Sequence, residues 1–226
     1  MKKSINVLLL SLYLAVSGFA HATTTSSSLP TNIPIAGKDY IVIKNTRPTY
    51  LPTGNFKVIE FFWYGCPYCN KFEPILKTWV KDQGNKIDFK RIPVVFGKKF
   101  IPHARLFYTL EALGISENLS SVIFNEIHNK KNFLLKQQDQ ADFLAKQGID
   151  KKKFLDIANS LIIENKIKKS IETLKEYEIS TVPTVIIAEK YKTSPSYTKS
   201  MIKMVPVLNY LVKQVENEKN KSSNIR

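Results

Sequence analysis

Lys57-Val58-Ile59-Glu60-Phe61-Phe62-Trp63-Tyr64-Gly65-Cys66-Pro67-Tyr68-Cys69 is the stretch on which the fold of this chain turns. From Lys57 to Trp63 it is apolar, β-branched and aromatic, the pattern of a short strand buried on both faces. Pro67 to Lys81 then carries Phe72, Ile75, Leu76 and Trp79 at helical spacing, so a helix begins beside the cysteines. Ile87 to Val95 is strand-like again. A strand, helix, strand order implies a parallel pair.

Working outward, Tyr40 to Ile43 is a further strand segment, and structure is expected to begin near Gly37. Residues 97–170 change character. Ala104 to Leu113, Glu117 to His128, Ala141 to Gln147 and Lys152 to Ser160 show helical periodicity, with Gly114 and Gly148 as stop signals. After one more helix through Ile167 to Tyr177, strand character returns at Thr184 to Ala188. Pro206, followed by Val207, Leu208, Leu211 and Val215, suggests a closing helix. The expected α/β architecture is a sheet domain, residues 37–96 and 171–217, interrupted by an all-helical insertion, 97–170, with a polar tail at 218–226.

The chain has 226 residues, 43% hydrophobic, which suits a packed globular core. Its only two cysteines cannot form a disulfide framework, so they are candidates for chemistry. The net charge of +15 permits anionic partners without selecting one, and acids such as Glu164, Glu172, Glu176 and Glu178 are interspersed among the lysines. Lys2 and Lys3, the apolar run Ile5 to Val16 and Ala20-His21-Ala22 form a secretory signal pattern, too short for a membrane span. Cleavage is expected after Ala22, leaving +13, with a periplasmic or extracellular address. Residues 23–36 are a Ser/Thr-rich lead-in expected to be flexible.

Cys66 and Cys69, three apart on a first helical turn, can bridge. A helix N-terminus favours the thiolate at Cys66, which is expected to be exposed and acidic, with Cys69 shielded. Zinc would need two more ligands, and beyond the leader only His103 and His128 remain, far apart in sequence and expected on helix surfaces or satisfied in the core. Covalent haem would need His at position 70, which is Asn. A structural bridge closing so short a loop would stabilise little. Thiol–disulfide exchange without cofactor or metal is the chemistry that remains. Glu60, in a strand buried on both faces, needs a partner, and Lys90 is one candidate.

Val58 to Cys69 with Phe72-Glu73-Pro74, the segment Thr181-Val182-Pro183-Thr184 and the helical insertion together resemble the thioredoxin superfamily and, within it, the DsbA family of thiol:disulfide oxidoreductases. The resemblance spans Gly37 to Val215 and implies a thioredoxin-like fold. It implies that Cys66 and Cys69 exchange, that Glu60 handles the Cys69 proton, and that Pro183 is cis with Val182 presenting its backbone to substrate. Tyr64 is expected at the rim of that peptide site, and Phe61 to Trp63 in the core. The dipeptide Pro67-Tyr68 departs from the Pro-His usual in the family and matches glutaredoxins, which are short domains without the insertion.

The implied function is a periplasmic oxidase acting on cysteine-containing secreted polypeptides, reoxidised by a DsbB-type membrane quinone reductase. The chain is expected to be a monomer that binds no nucleic acid. Alternatives are a reductase or isomerase of the same fold, or a non-catalytic peptide-binding chaperone.

Overall fold

The computed structural model describes residues 33–223 apart from 45 and 47; the leader, its cleavage site and the last three residues lie outside them. The elements run β1 (Ile41–Val42), β2 (Phe56–Phe62), α1 (Pro67–Gln83), β3 (Ile87–Pro93), then five helices. These are α2 (Ile101–Ala112), α3 (Ser116–His128), α4 (Gln137–Ala145), α5 (Lys151–Ala158) and α6 (Leu161–Glu176). The chain closes with β4 (Thr184–Ile187), β5 (Tyr191–Thr193), the short turn of helix α7 (Pro195–Thr198) and α8 (Met201–Ser223).

The sheet order is β1-β5-β4-β2-β3. β2 and β3 are parallel, as the crossover through α1 requires, while β4 runs antiparallel to β2 and β5 to β4. β2, flanked on both sides, buries nearly all of its side chains, as does its neighbour β4. On one face Val58 packs with Phe72, Leu76 and Trp79 of α1 and with Met204, Leu208 and Leu211 of α8. On the other, Ile59 and Phe61 meet Leu174, Ile179 and Ile186. A third core fills the helical module and reaches the cysteines: Phe62, Tyr64, Cys66 and Cys69 share it with Leu106, Phe107, Phe124 and Leu144. Helical spacing was readable in helices such as α3 and α6, which bury an apolar stripe and expose the opposite face.

Several boundaries differ from the sequence-based expectation. Order begins before Gly37: the Ile35 N–H donates to the Asp39 carboxylate at 2.8 Å, and Ala36 bridges to Tyr40. The helix α6 crosses residue 170 without a break, so the expected edge of the insertion falls inside a helix. Pro206 lies within α8 rather than opening it, and that helix continues through Ser223, so residues 218–223 are helix rather than tail. β5 is three residues long, too short for alternation to announce it.

Candidate active site

Cys66 is the N-cap of α1, in extended conformation, and Pro67 is the first helical residue, where its missing N–H costs nothing. Gly65 precedes it because any side chain would strike the Trp63 ring, which a Cβ at that position would approach to 2.4 Å. Both cysteines are free thiols. Cys66 is only 8% exposed, less than the sequence suggests, and Cys69 is fully buried. The Val182–Pro183 bond is cis, and the Cys66 thiol points to the Val182 carbonyl at 3.7 Å.

The two sulfurs are driven in opposite directions. Cys66 is lowered to about 6: the Cys69 thiol donates to its anion, and the backbone N–H groups of Cys69 and Tyr68 assist against partial desolvation. Cys69 is pushed up, first by burial, then by the neighbouring Cys66 and by the charge of Glu60. One sulfur is thus poised as a thiolate near neutrality and the other is held as a thiol.

Behind Cys69 lies a buried ion cluster. Arg91 on β3 donates from Nε to Glu60 of β2 at 2.8 Å, from one terminal nitrogen to Glu73 of α1 at 2.6 Å and from the other to Glu117 of α3 at 2.8 Å. Ser121 of α3 donates to the second Glu73 oxygen at 3.1 Å. Glu60 therefore pairs with Arg91 and not with Lys90, which reaches Asp88 instead. The parallel register sets Glu60 opposite Arg91, whereas Lys90, one residue off, projects to the other face. Burial raises Glu60 to about 7; Arg91 pulls it down, and Glu73 and Glu117 push it up again.

Tyr64 is a second correction. It is completely buried between Phe62, Phe107 and Phe124 and cannot line a peptide site; the half-exposed aromatic is Trp63. Strand β2 ends at Phe62, and the turn that follows reverses the expected inside and outside. The histidines also lie nearer the site than expected. The His128 Nε2–H donates to the Tyr64 carbonyl, and the His103 Nε2–H donates to the Phe133 carbonyl, both at 2.8 Å, with the His103 ring beside Trp63 and Tyr64. Arg91, Glu73 and Glu117 were given no role from the sequence, and the sequence did not show that His128 bonds next to the site, because each acquires its meaning from a partner at least 18 residues away. Among the described residues no three His, Cys, Asp or Glu side chains could hold a metal ion, and no helix is long and apolar enough to cross a membrane.

A sequence profile described as Thioredoxin matches residues 52–205. The thiol:disulfide interchange protein DsbA of Burkholderia cepacia is 52% identical over 219 residues, covering 97% of this chain and 100% of that protein. The DsbA of Pseudomonas aeruginosa is 36% identical over 157 residues, or 70% of this chain and 74% of that protein. Its crystal structure superposes with a TM-score of 0.75 at 31% identity, covering 85% of this chain and 97% of that one. Reduced DsbA1 of Neisseria meningitidis gives 0.70 at 27%, covering 83% and 98%. Fold and thiol pair define a thioredoxin-like thiol:disulfide oxidoreductase with a helical insertion. Within that class the chain belongs to the DsbA family.

Proposed function

We propose that the chain is a periplasmic oxidase that donates the Cys66–Cys69 disulfide to newly secreted polypeptides. The observation that carries the direction is the asymmetry of the sulfurs. A Cys66 thiolate lowered to about 6 stabilises the dithiol form, and whatever stabilises the reduced enzyme makes its disulfide a stronger oxidant. Each pKa unit is worth up to about 30 mV for this two-electron couple.

In the cycle, a substrate thiolate attacks Cys66 Sγ, the Cys66–Cys69 bond breaks, and its electron pair leaves on Cys69, which takes up a proton. A second substrate thiolate then attacks the substrate sulfur of the mixed disulfide and expels the Cys66 thiolate, so the substrate leaves with two electrons fewer and the enzyme with two more. Glu60, whose charge acts on Cys69, is the group that exchanges that proton, and Val182 offers its backbone beside the reacting sulfur. Reoxidation by a DsbB-type membrane quinone reductase and action as a monomer are part of this reading on the resemblance to the family, and periplasmic residence is supported as well by the secretory signal pattern of residues 1–22.

The test is equilibration of the pair with glutathione. A couple more oxidising than the glutathione pool is expected, and one as reducing as thioredoxin's overturns the oxidase reading in favour of a reductase. In the same assay Cys69→Ala is expected to accumulate mixed disulfides at Cys66, and Cys66→Ala to form none; trapping through Cys69 would reverse the assignment of roles.

A further inference from the structure

Three segments meet around Cys66, and a fourth is tied to them. Residues 63–72 hold it, 180–188 bring Val182 to its sulfur, and 95–103 bring Phe100 to 4.5 Å from the Trp63 ring that underlies Gly65. Residues 129–136 are tied in through His103, which bonds the Phe133 carbonyl and lies against Trp63 and Tyr64. These segments contain no Asp or Glu, although an even spread of the chain's 19 acids would put about three there. They contain six lysines, Lys71, Lys98, Lys99, Lys130, Lys131 and Lys136, all exposed. Lys130 is paired with Glu126; Lys71, Lys98, Lys99 and Lys136 have no carboxylate partner among the described residues.

The same collar displays apolar surface. Tyr68 is 59% exposed, Phe133 58% and Phe96 44%. Lys99 is held over this surface, its ammonium 5.9 Å from the Trp63 ring centroid and 5.4 Å from that of Phe100. Contact with two aromatic faces restricts a side chain that would otherwise sweep through solvent, so the charge is held beside the Trp63 and Phe100 rings.

We propose that this collar selects substrate segments that carry carboxylates close to the reacting cysteine, with Lys99 as the main specificity-determining residue and Lys98 and Lys71 assisting. The occupant is an extended acidic segment with apolar residues. Its thiolate reaches Cys66, its apolar side chains cover Phe96 and Trp63, and its carboxylate meets an ammonium that has no carboxylate partner among the described residues. The proposal rests on the oxidase reading for its substrate, and on the collar for its sign. Like charge on a substrate is repelled, so selectivity comes from rejection as well as attraction. At low ionic strength the expected preference is about threefold to tenfold, small on the scale of strongly steered associations.

The experiment uses the oxidised full chain and two cysteine peptides of the same apolar sequence, one flanked by Asp and one by Lys, followed by stopped flow in about 20 mM and about 500 mM salt, where the Debye length shrinks from tens of ångströms to a few. The Asp peptide is expected to react faster at low salt, and the ratio to collapse at high salt and in K98Q/K99Q. The K152Q variant, on the remote helix α5, is expected to keep the ratio of the parent. A ratio near one in the parent, or one unchanged in K98Q/K99Q, overturns the collar. If neither peptide is oxidised, the oxidase reading fails by itself. Equilibrium binding of the Cys→Ser peptides still decides the collar, with tighter binding of the Asp form supporting it and equal binding overturning it.

Discussion

The front and the back of the first turn of α1 use opposite physics on the same element. At the front, Cys66 faces a backbone carbonyl, two N–H groups and a thiol donor, and its anion is favoured. At the back, three residues on, Cys69 faces a fully packed core and the charge of Glu60, and its anion is suppressed. The helix supplies the spacing; the surroundings supply the difference. Two identical side chains acquire distinct roles because donors lie on one side of the turn and the Glu60 carboxyl on the other.

The back depends on Arg91, and breaking it gives the largest expected effect. Arg91→Met leaves Glu60 and Glu73 buried without their cation, and removing one partner of a buried ion pair typically costs about 3–5 kcal/mol. The Glu60 carboxyl must then rise further. An acid raised on folding contributes stability below its unfolded pKa and loses it as pH rises, so the defect is expected to be smallest near about pH 5 and largest near about pH 8. Urea unfolding at both pH values checks this; a loss under about 1 kcal/mol at the higher pH would mean that the cluster is solvated rather than buried.

Glu60→Gln sharpens the same contrast with a smaller effect. Glu60 is raised from 4.5 to about 7, so it favours folding below about pH 4.5 and loses that contribution as pH climbs through 7. Glutamine does not titrate. Between pH 5 and 8 the variant is therefore expected to gain on the parent by on the order of 2 kcal/mol, read from parallel unfolding curves. The Cys69 thiol, relieved of a neighbouring charge, is expected to titrate at lower pH in alkylation of a Cys66→Ala background. A parent and variant that move together with pH would show that Glu60 is ionised throughout.

The front was legible in the sequence, and the back was not. A buried strand, two cysteines at i and i+3 and a proline at the head of a helix are local signals within one stretch of chain, and the second match at Val182-Pro183 is equally compact. The choice between Lys90 and Arg91 as partner for Glu60 depended on strand register, which local pattern does not fix in an edge strand whose exposed and buried positions do not alternate cleanly. Tyr64 was misplaced because periodicity says nothing about a chain that has just left its strand. His103 and His128 converge on the site only through packing of the module, at separations of 30 and 64 residues from the carbonyls they bond.

The smallest expected effect tests whether the helical module tunes the thiol pair as well as covering it. Glu117 is the half-exposed member of the cluster, its side chain 58% accessible against 2% for Arg91. An ion pair with so much solvent around one partner contributes roughly 0–1 kcal/mol, so Glu117→Gln is expected to leave stability within that range. Its charge nonetheless raises Glu60, and it draws on the guanidinium that Glu60 also uses. Removing that charge leaves Arg91 more fully committed to Glu60. The Glu60 titration is therefore expected to move down in pH while the unfolding midpoint barely shifts. Carbon-13 NMR of the labelled carboxyl reads the first and urea denaturation the second. A Glu60 midpoint identical in parent and variant would confine α3 to packing, and a lower one would show that a side chain of the insertion sets the protonation of the residue behind Cys69.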